Sequence, residues 1–143
     1  MIFLDTSFLF AYVSDRDRHH ASVTKLVEAH RGRRLSSFLL TTNHVVAETI
    51  TLLSRRGHRV PEVRHDLAVR VGRQLHAGVF AQVHHASDDE EREAFAYFER
   101  HRDKNYSIVD CLSFVVMARK GIREAWAVDD DFTHSFTVRP LQA

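Results

Sequence analysis

The stretch that decides the fold class is Met1-Ile2-Phe3-Leu4-Asp5-Thr6-Ser7. Its three consecutive apolar residues leave no polar face, which is typical of a strand buried on both sides, near the middle of a parallel sheet. Asp5 follows this strand directly, and the two hydroxyl residues after it are suited to starting a helix. Because ligands of open α/β sheets bind just beyond the carboxyl ends of the strands, Asp5 stands at a candidate functional site.

The composition of the 143 residues is that of an ordinary globular domain. Hydrophobic residues make up 44% and charged residues 27%, with 5 Gly and 2 Pro, which predicts a packed core rather than disorder. The 20 Lys and Arg nearly balance the 19 Asp and Glu, so the net charge of +1 neither requires nor excludes a nucleic-acid partner. The single cysteine, Cys111, cannot form an internal disulfide, and no stretch approaches the ~20 apolar residues of a membrane span. We therefore expect one cytoplasmic domain, residues 1–143, with no membrane association.

Short apolar runs alternate with helical patterns along the rest of the chain. Further strands are predicted at residues 35–40, 79–83, 125–128 and 136–138. Helices are predicted at residues 8–13, 21–30, 44–56 and 108–117, with two more that begin near Pro61 and Ser87. Strands separated by helices predict an α/β fold with a parallel sheet.

Four acids occupy unusual settings. Asp5 and Asp129 each follow an apolar strand, so they would face one crevice if those strands were neighbours. Glu48 lies at the edge of an apolar helical face, and Asp110 is surrounded by apolar residues. A buried carboxylate such as Asp110 has to be paired, hydrogen-bonded or bound to a metal.

Each acid taken alone also has an ordinary structural interpretation. Glu48 can be a solvated glutamate on an amphipathic helix, and Asp110 can cap its helix through a capping box with Ser107. Asp129 begins a run of three aspartates that ends at Asp131, so an acidic turn is possible and the register of the fourth acid stays open.

Together the four acids indicate a metal site. Carboxylates that lie close together repel one another and raise one another's pKa values, and a divalent cation removes that repulsion. An all-oxygen donor set suits Mg²⁺ or Mn²⁺, which can activate a water and stabilise charge on a phosphoryl group. Spacing along the chain does not by itself establish that the four converge.

Four motifs in order make the chain resemble the PIN-domain ribonucleases, and in size the VapC-type toxins of toxin–antitoxin pairs. The motifs are Ile2-Phe3-Leu4-Asp5-Thr6-Ser7, Asn43-His44-Val45-Val46-Ala47-Glu48, Tyr106-Ser107-Ile108-Val109-Asp110 and Ala127-Val128-Asp129-Asp130-Asp131-Phe132. In the family's fourth motif an acid precedes an aromatic residue by three positions, which selects Asp129. The family often has Thr or Ser two residues before that acid, where this chain has Ala127.

The resemblance implies a three-layer α/β/α sandwich with a central parallel sheet and metal-dependent endoribonuclease activity. Asp5, Glu48, Asp110 and Asp129 would be the catalytic acids and would hold Mg²⁺ or Mn²⁺, directly or through waters. The resemblance further implies an RNA substrate cut to leave 5′-phosphate and 3′-hydroxyl ends, a homodimer, and a small antitoxin protein that blocks the site.

Two other functions stay open. A Mg-dependent phosphotransfer or receiver-like domain also places acids at strand ends. The haloacid-dehalogenase pattern, however, needs a second Asp where Ser7 stands, and no aspartate ends the predicted strand 79–83 as a phospho-acceptor. A non-catalytic RNA- or protein-binding module on a PIN scaffold is the other possibility, and the presence of all four acids favours the enzyme.

Basic residues recur along the chain without forming one block. Solvated surface is the ordinary interpretation of each, although a set of them could line a phosphate track beside the acidic site. That set is Arg16, Arg18, Arg31, Arg33, Arg34, Arg55, Arg56, Arg59, Arg100, Arg102 and Lys104.

Overall fold

Five strands form one parallel sheet in the computed structural model, which describes residues 1–140. The strands are β1 (Ile2–Leu4), β2 (Leu39–Thr42), β3 (Gln82–His84), β4 (Glu124–Trp126) and β5 (Thr137–Arg139). Their order across the sheet is β3-β2-β1-β4-β5, and every neighbouring pair runs parallel. The first strand is therefore central, as its apolar sequence predicts.

Within residues 1–140, six α-helices connect the strands and cover both faces of the sheet. They are α1 (Thr6–Val13), α2 (His20–Glu28), α3 (Asn43–Arg56), α4 (Pro61–His76), α5 (Asp88–Arg100) and α6 (Ile108–Lys120). Every residue of β2 is buried, which requires helices on both sides of that strand. The predicted three-layer α/β/α sandwich is confirmed, and the helix boundaries differ from the predicted ones by a turn or less.

The helices begin where the capping signals in the sequence place them. Pro61 occupies the first turn of α4, where its missing N–H and fixed φ cost nothing. A capping box between Ser87 and Glu90 starts α5, and a second one between Ser107 and Asp110 starts α6. These local hydrogen bonds determine which residues stand in each first turn.

The second strand begins later than the apolar pattern of residues 35–40 predicts. Leu35–Ser37 form a 3₁₀ helix, and β2 starts only at Leu39. The hydroxyl of Ser37 donates to the carbonyl oxygen of Arg34 at 2.6 Å. This local bond stabilises a turn at residues 34–37 in place of pairing with the sheet. A prediction based on apolar residues alone does not take such a bond into account.

The third strand also begins later than predicted, because Val79 belongs to the end of α4. The N–H of Val79 donates to the carbonyl of Gln74 at 3.0 Å, and the N–H of Gly78 donates to the carbonyl of Leu75 at 3.1 Å. This pair of bonds is a Schellman motif, which places Gly78 at φ +71°. The prediction of a strand over residues 79–83 was therefore wrong at its start, and β3 begins at Gln82.

The fourth and fifth strands are each displaced from the predicted ranges 125–128 and 136–138. β4 ends at Trp126 because the N–H of Val128 turns away and donates to the hydroxyl of Ser7 at 3.1 Å. β5 starts one residue late because the N–H of Phe136 still closes a turn onto the carbonyl of Phe132 at 3.1 Å.

Aromatic and aliphatic side chains fill the core on both sides of the central strands. Trp126 on β4 packs against Phe8 on α1 with ring centroids 5.1 Å apart, and both side chains are buried.

The thiol of Cys111 is buried in α6, and burial raises its pKa to about 11, so it behaves as an apolar core atom. None of the helices within residues 1–140 is long and apolar enough to cross a bilayer.

Truncating a side chain on the inner face of α3 should destabilise the fold. Leu53 is fully buried, so Leu53→Ala should lower the free energy of unfolding by about 2–5 kcal/mol through reduced burial and a residual cavity. Urea denaturation measures this change. The control Val63→Ala removes a side chain that is 42% exposed on α4 and should cost under about 0.5 kcal/mol. Equal destabilisation of the two variants would contradict the packing described for α3.

Candidate active site

Asp5 lies at the carboxyl end of the central strand and caps α1. Its backbone N–H donates to the carbonyl of Trp126 at 3.1 Å, which continues the pairing of β1 with β4. Its carboxylate oxygen Oδ2 accepts from the N–H of Ser7 at 3.1 Å and from the Ser7 hydroxyl at 2.6 Å. Only 2% of Asp5 is exposed, so the sheet and the cap hold this carboxylate in one place.

Asp110 stands in the first turn of α6, where the capping box fixes it. Its Oδ2 accepts from the backbone N–H of Ser107 at 2.9 Å, while the Ser107 hydroxyl accepts from the N–H of Asp110 at 3.0 Å. The residue is only 9% exposed. The structural and functional interpretations of Asp110 therefore coexist, because the same bonds that start the helix also orient the carboxylate.

Glu48 is partly buried on the second turn of α3 and reaches toward the start of α1. The hydroxyl of Thr6 donates to Glu48 Oε2 at 2.7 Å, which ties this carboxylate to the residue next to Asp5. Glu48 also lines a hollow of about 410 Å³, together with Val109 at the start of α6 and Asn43 at the start of α3. The hollow opens beside the acids and gives a substrate room to approach them.

Asp129 lies in the loop that follows β4, the strand next to β1. Its Oδ1 accepts from the N–H of Asp131 at 3.2 Å, a turn that aspartate favours. Phe132 anchors the end of this turn, since its ring is fully buried and stacks on Phe3 at 6.1 Å. The pKa of Asp131 is raised by burial and then by the negative charge of Asp110. Two of the three aspartates in the turn are therefore coupled electrostatically to acids outside it.

Ser7 links the two strand-terminal acids, a role that reasoning from the sequence missed. Its hydroxyl donates its single proton to Asp5 and accepts the N–H of Val128 at 3.1 Å, one residue before Asp129. The Ser7 hydroxyl also lowers the pKa of Asp129, although burial and Asp131 raise it more. The sequence signal for this role was the position of Ser7 two residues after Asp5, where its hydroxyl can bond to the Asp5 carboxylate. The family often has a Thr or Ser hydroxyl two residues before the fourth acid, where this chain has Ala127. In this chain the hydroxyl of Ser7 lies next to Asp129 instead, because it is hydrogen-bonded to Val128.

The carboxyl groups are electrostatically coupled. The pKa of Asp5 is raised to about 8, first by burial and then by the negative charges of Asp129 and Asp110, while the hydrogen bonds from Ser7 act in the opposite direction. Burial likewise raises the pKa of Asp110, with additional repulsion from Asp129 and Glu48. The pKa of Asp129 is raised by burial and then by Asp131. The structure brings all four predicted acids into one electrostatic cluster, with Asp131 as a fifth member.

The chemistry of this cluster fits a hard divalent cation held partly through water. As the side chains lie, no three Asp, Glu, His or Cys groups within residues 1–140 form a set that could ligate one ion directly. The donors nevertheless are all carboxylate oxygens, the kind of ligand that Mg²⁺ and Mn²⁺ prefer, and Asp5, Asp110 and Asp129 repel one another. Mg²⁺ and Mn²⁺ keep several waters when bound, so indirect ligation by some of the acids is the arrangement to expect.

Comparison with known proteins places the chain in a family. The family model of the PIN domain matches residues 2–135. The chain is 37% identical over 134 residues to the 23S rRNA-specific endonuclease VapC20 of Mycobacterium tuberculosis, covering 93% of this chain and 92% of that protein. It is 31% identical over 118 residues to a VapC ribonuclease of Archaeoglobus fulgidus, covering 79% and 67% of the two chains.

A solved structure agrees with the sequence comparison. The crystal structure of VapC20 from Mycobacterium tuberculosis, described as a sarcin-ricin loop cleaving toxin, superposes with a TM-score of 0.80 at 34% identity and covers 94% of each chain. The chain belongs to the PIN domain family. The family resemblance and the fold class predicted from the sequence are both confirmed.

In the absence of metal, the free energy of unfolding should fall as the pH rises. The carboxyl of Asp5 loses its proton near pH 3.8 when unfolded but near pH 8 when folded, so the folded state binds the extra proton between these values. Thermal melts in EDTA from pH 5 to pH 8 should show a falling midpoint, and Asp5→Asn should flatten this dependence. Saturating Mn²⁺ should raise the midpoint most at the upper end of the range.

The control for this experiment is Asp66→Asn, which removes an exposed acid of α4 that contributes to none of the raised pKa values in the cluster. This variant should keep both the pH dependence and the response to Mn²⁺. A wild-type midpoint that changes neither with pH nor with Mn²⁺ would contradict the coupled carboxylate site.

Proposed function

We propose that residues 1–143 form one domain that acts as a metal-dependent endoribonuclease, the toxin of a toxin–antitoxin pair. The observation that carries this proposal is the cluster of coupled carboxylates at the carboxyl edge of a PIN-domain sheet. The descriptions of the relatives, an rRNA endonuclease and a VapC ribonuclease, support it. A structural role alone does not account for several acids gathered where their charges oppose folding.

Asp5, Glu48, Asp110 and Asp129 would hold the Mg²⁺ or Mn²⁺, directly or through water. When bound, the ion would polarise the phosphoryl group, lower the pKa of a water and stabilise the leaving oxygen. The protein would supply the positions: strand pairing and Ser7 orient Asp5, the capping box orients Asp110, and these bonds persist without the ion.

The substrate class that the comparisons favour is a structured ribosomal RNA. The relative from Mycobacterium tuberculosis is described as specific for 23S rRNA, and its crystal structure as that of a sarcin-ricin loop cleaving toxin. With 37% identity over nearly the whole chain, we propose the same RNA class for this protein. A cytoplasmic location, a homodimer and a small antitoxin that covers the site belong to the same proposal.

Replacing either of the two most buried acids of the cluster, Asp5 or Asp110, should abolish cleavage without unfolding the protein. Asp5→Asn and Asp110→Asn each remove a donor to the ion, and the cleavage rate is expected to fall by more than about 100-fold. The assay is cleavage of a 23S rRNA stem–loop with Mn²⁺, read by mapping new 5′ ends. The exposed α4 residue Asp66 supplies the control variant Asp66→Asn, which should cleave at the wild-type rate.

Circular dichroism separates the functional from the structural role of Asp110. If Asp110 serves only as a helix cap, Asp110→Asn should show reduced helicity, whereas a folded variant with normal helicity that no longer cleaves RNA has lost the functional role. Folded variants that still cut the RNA at the wild-type rate would overturn the proposed mechanism. Wild-type protein that binds the RNA without cutting it, at any Mn²⁺ concentration, would favour the non-catalytic binding module instead.

The three aspartates of the turn after β4 should differ in importance. Asp129 is coupled to Asp5 and Asp110, Asp131 to Asp110, and Asp130 is exposed. Cleavage rates at limiting Mn²⁺ should therefore fall most in Asp129→Asn, less in Asp131→Asn and least in Asp130→Asn. Excess Mn²⁺ should partly restore Asp129→Asn, since a carboxylate that acts through water contributes affinity more than geometry. If Asp131→Asn is the most damaging change, the fourth acid is Asp131.

A further inference from the structure

A basic cleft lies where the ends of α1 and α3 meet the start of α4. Its volume is about 450 Å³. The side chains that line it are Ser14, Arg16, Arg56, His58, Arg59 and Arg64. No apolar side chain is among them. We call this site the arginine cleft.

The positive charge of the arginine cleft is not neutralised from within the protein. Among residues 1–140, none of the four guanidinium groups forms a salt bridge with a carboxylate. The acids within two residues of these arginines, Asp15, Asp17, Glu62 and Asp66, do not line the cleft. The carboxyl ends of α1 and α3 contribute only partial negative charge, while the amino end of α4 contributes partial positive charge. The balance in the cleft is strongly positive.

Arg64 shows an unmet hydrogen-bonding demand inside the cleft. Its Nε atom is buried and finds no acceptor within residues 1–140. Its Nη1 makes one long bond of 3.4 Å to the carbonyl of His58. A buried donor without an acceptor costs free energy, so the Arg64 side chain has hydrogen-bonding capacity that the described residues leave unused.

The turn that carries two of these residues has a defined backbone. The N–H of Gly57 donates to the carbonyl oxygen of Leu53 at 2.8 Å and caps the carboxyl end of α3. His58 and Arg59 follow directly and line the cleft together with Arg56, the last residue of the helix.

The arginine cleft and the carboxylates share two helices. α1 begins beside Asp5 at Thr6 and ends about 10 Å farther along, next to Ser14. α3 carries Glu48 on its second turn and Arg56 about 12 Å farther along the same axis, and α1 packs on α3. A nucleic-acid backbone with one phosphate at the acids has only this short distance to cover.

We propose that the arginine cleft binds a phosphodiester of the RNA backbone at some distance from the scissile bond. This inference rests on the proposed ribonuclease function and adds to it a second anchoring point for the substrate. The planar fork of arginine matches the geometry of a phosphate, and several such groups hold the backbone without reading its sequence. The acids at the other end of α1 and α3 repel phosphate until metal is bound, so a separate cationic site is needed for initial binding.

The lining of the cleft favours RNA over an acidic segment of a protein partner. Protein interfaces place aromatic or aliphatic anchors in buried pockets, whereas this cleft is lined by charged and polar groups alone. Proteins touch nucleic acid mostly at phosphate and sugar, which a cleft of this composition suits. The experiment below also tests the alternative that the cleft binds an acidic peptide.

The test variant is Arg16→Gln/Arg59→Gln, which removes two exposed charges that lie in loops on either side of the cleft. Arg64 is left in place because its burial could make its replacement structurally disruptive. The matched control, Arg70→Gln/Arg73→Gln, removes the same charge from the exposed face of α4. Affinity for a fluorescent 23S rRNA stem–loop is measured by anisotropy in EDTA at several salt concentrations, so that binding is read without cleavage.

We expect the Arg16/Arg59 variant to bind the RNA on the order of tenfold more weakly than wild type. The magnitude of the slope of log affinity against log salt should fall by about 0.7–0.9, because the protein then neutralises one phosphate fewer. The control pair should change both quantities far less. Arg16→Lys/Arg59→Lys should recover most of the salt slope, because the charges are retained.

Separate readouts distinguish failure of this inference from failure of the proposed function. Stabilisation by Mn²⁺ and cleavage by the wild type test the acid cluster, and neither depends on the cleft. If the wild type cleaves RNA and the Arg16/Arg59 variant matches the control pair in affinity and salt slope, the arginine cleft is not an RNA site. Unchanged RNA binding together with weakened binding of a polyglutamate peptide would overturn the inference in favour of an acidic protein segment.

Discussion

The repulsion among buried carboxylates at the carboxyl edge of the sheet is the constraint on which the site depends. Asp5 cannot move away from it, because its backbone continues the pairing of β1 with β4 and its side chain caps α1. Its neighbours Asp110 and Asp129 are held by their own helix and turn. Because the carboxylates cannot move apart, burial and mutual repulsion raise the pKa of Asp5. A fold that holds acids in this way is arranged to take up positive charge.

The hydrogen bonds that build the fold are the same ones that prepare the site. Ser107 starts α6 and at the same time orients Asp110. Ser7 belongs to the cap of α1, and its hydroxyl also holds the loop before Asp129 through the N–H of Val128. Because these bonds are made within the chain, the positions of the carboxylates do not depend on a ligand, which is the preorganisation that a catalytic site requires.

The near-neutral net charge of +1 conceals a separation of charge within the domain. Acids gather at one end of α1 and α3, and the arginine cleft lies toward the other end. The same two helices thus connect a cluster of acids with a cluster of arginines that form no salt bridge within residues 1–140. Such a field orients an approaching polyanion as well as attracting it, because one end of the helices attracts phosphate and the other repels it.

Sequence alone was sufficient for the features that depend on local chemistry. The apolar run before Asp5 predicted a central parallel strand, the signals at Pro61, Ser87 and Ser107 predicted helix starts, and the resemblance in four motifs predicted the fold class. The catalytic role of the four acids stays a prediction. The boundaries of β2 and β3 were not predictable from apolar patterns. They depend on local bonds that compete with the sheet, such as the one made by Ser37 and the one made by Val79.

Only the tertiary structure decided which residues meet across the chain. The approach of Asp131 to Asp110 joins positions 21 residues apart, and the Ser7–Val128 bond joins positions 121 apart. The arginine cleft likewise gathers loops and helix ends, and it includes Arg64, which the sequence did not distinguish from other basic residues. The physical reason is that charge–charge and hydrogen-bond energies depend on separation in space. Sequence specifies that separation within a turn of helix or strand, but between elements it is set by how they pack.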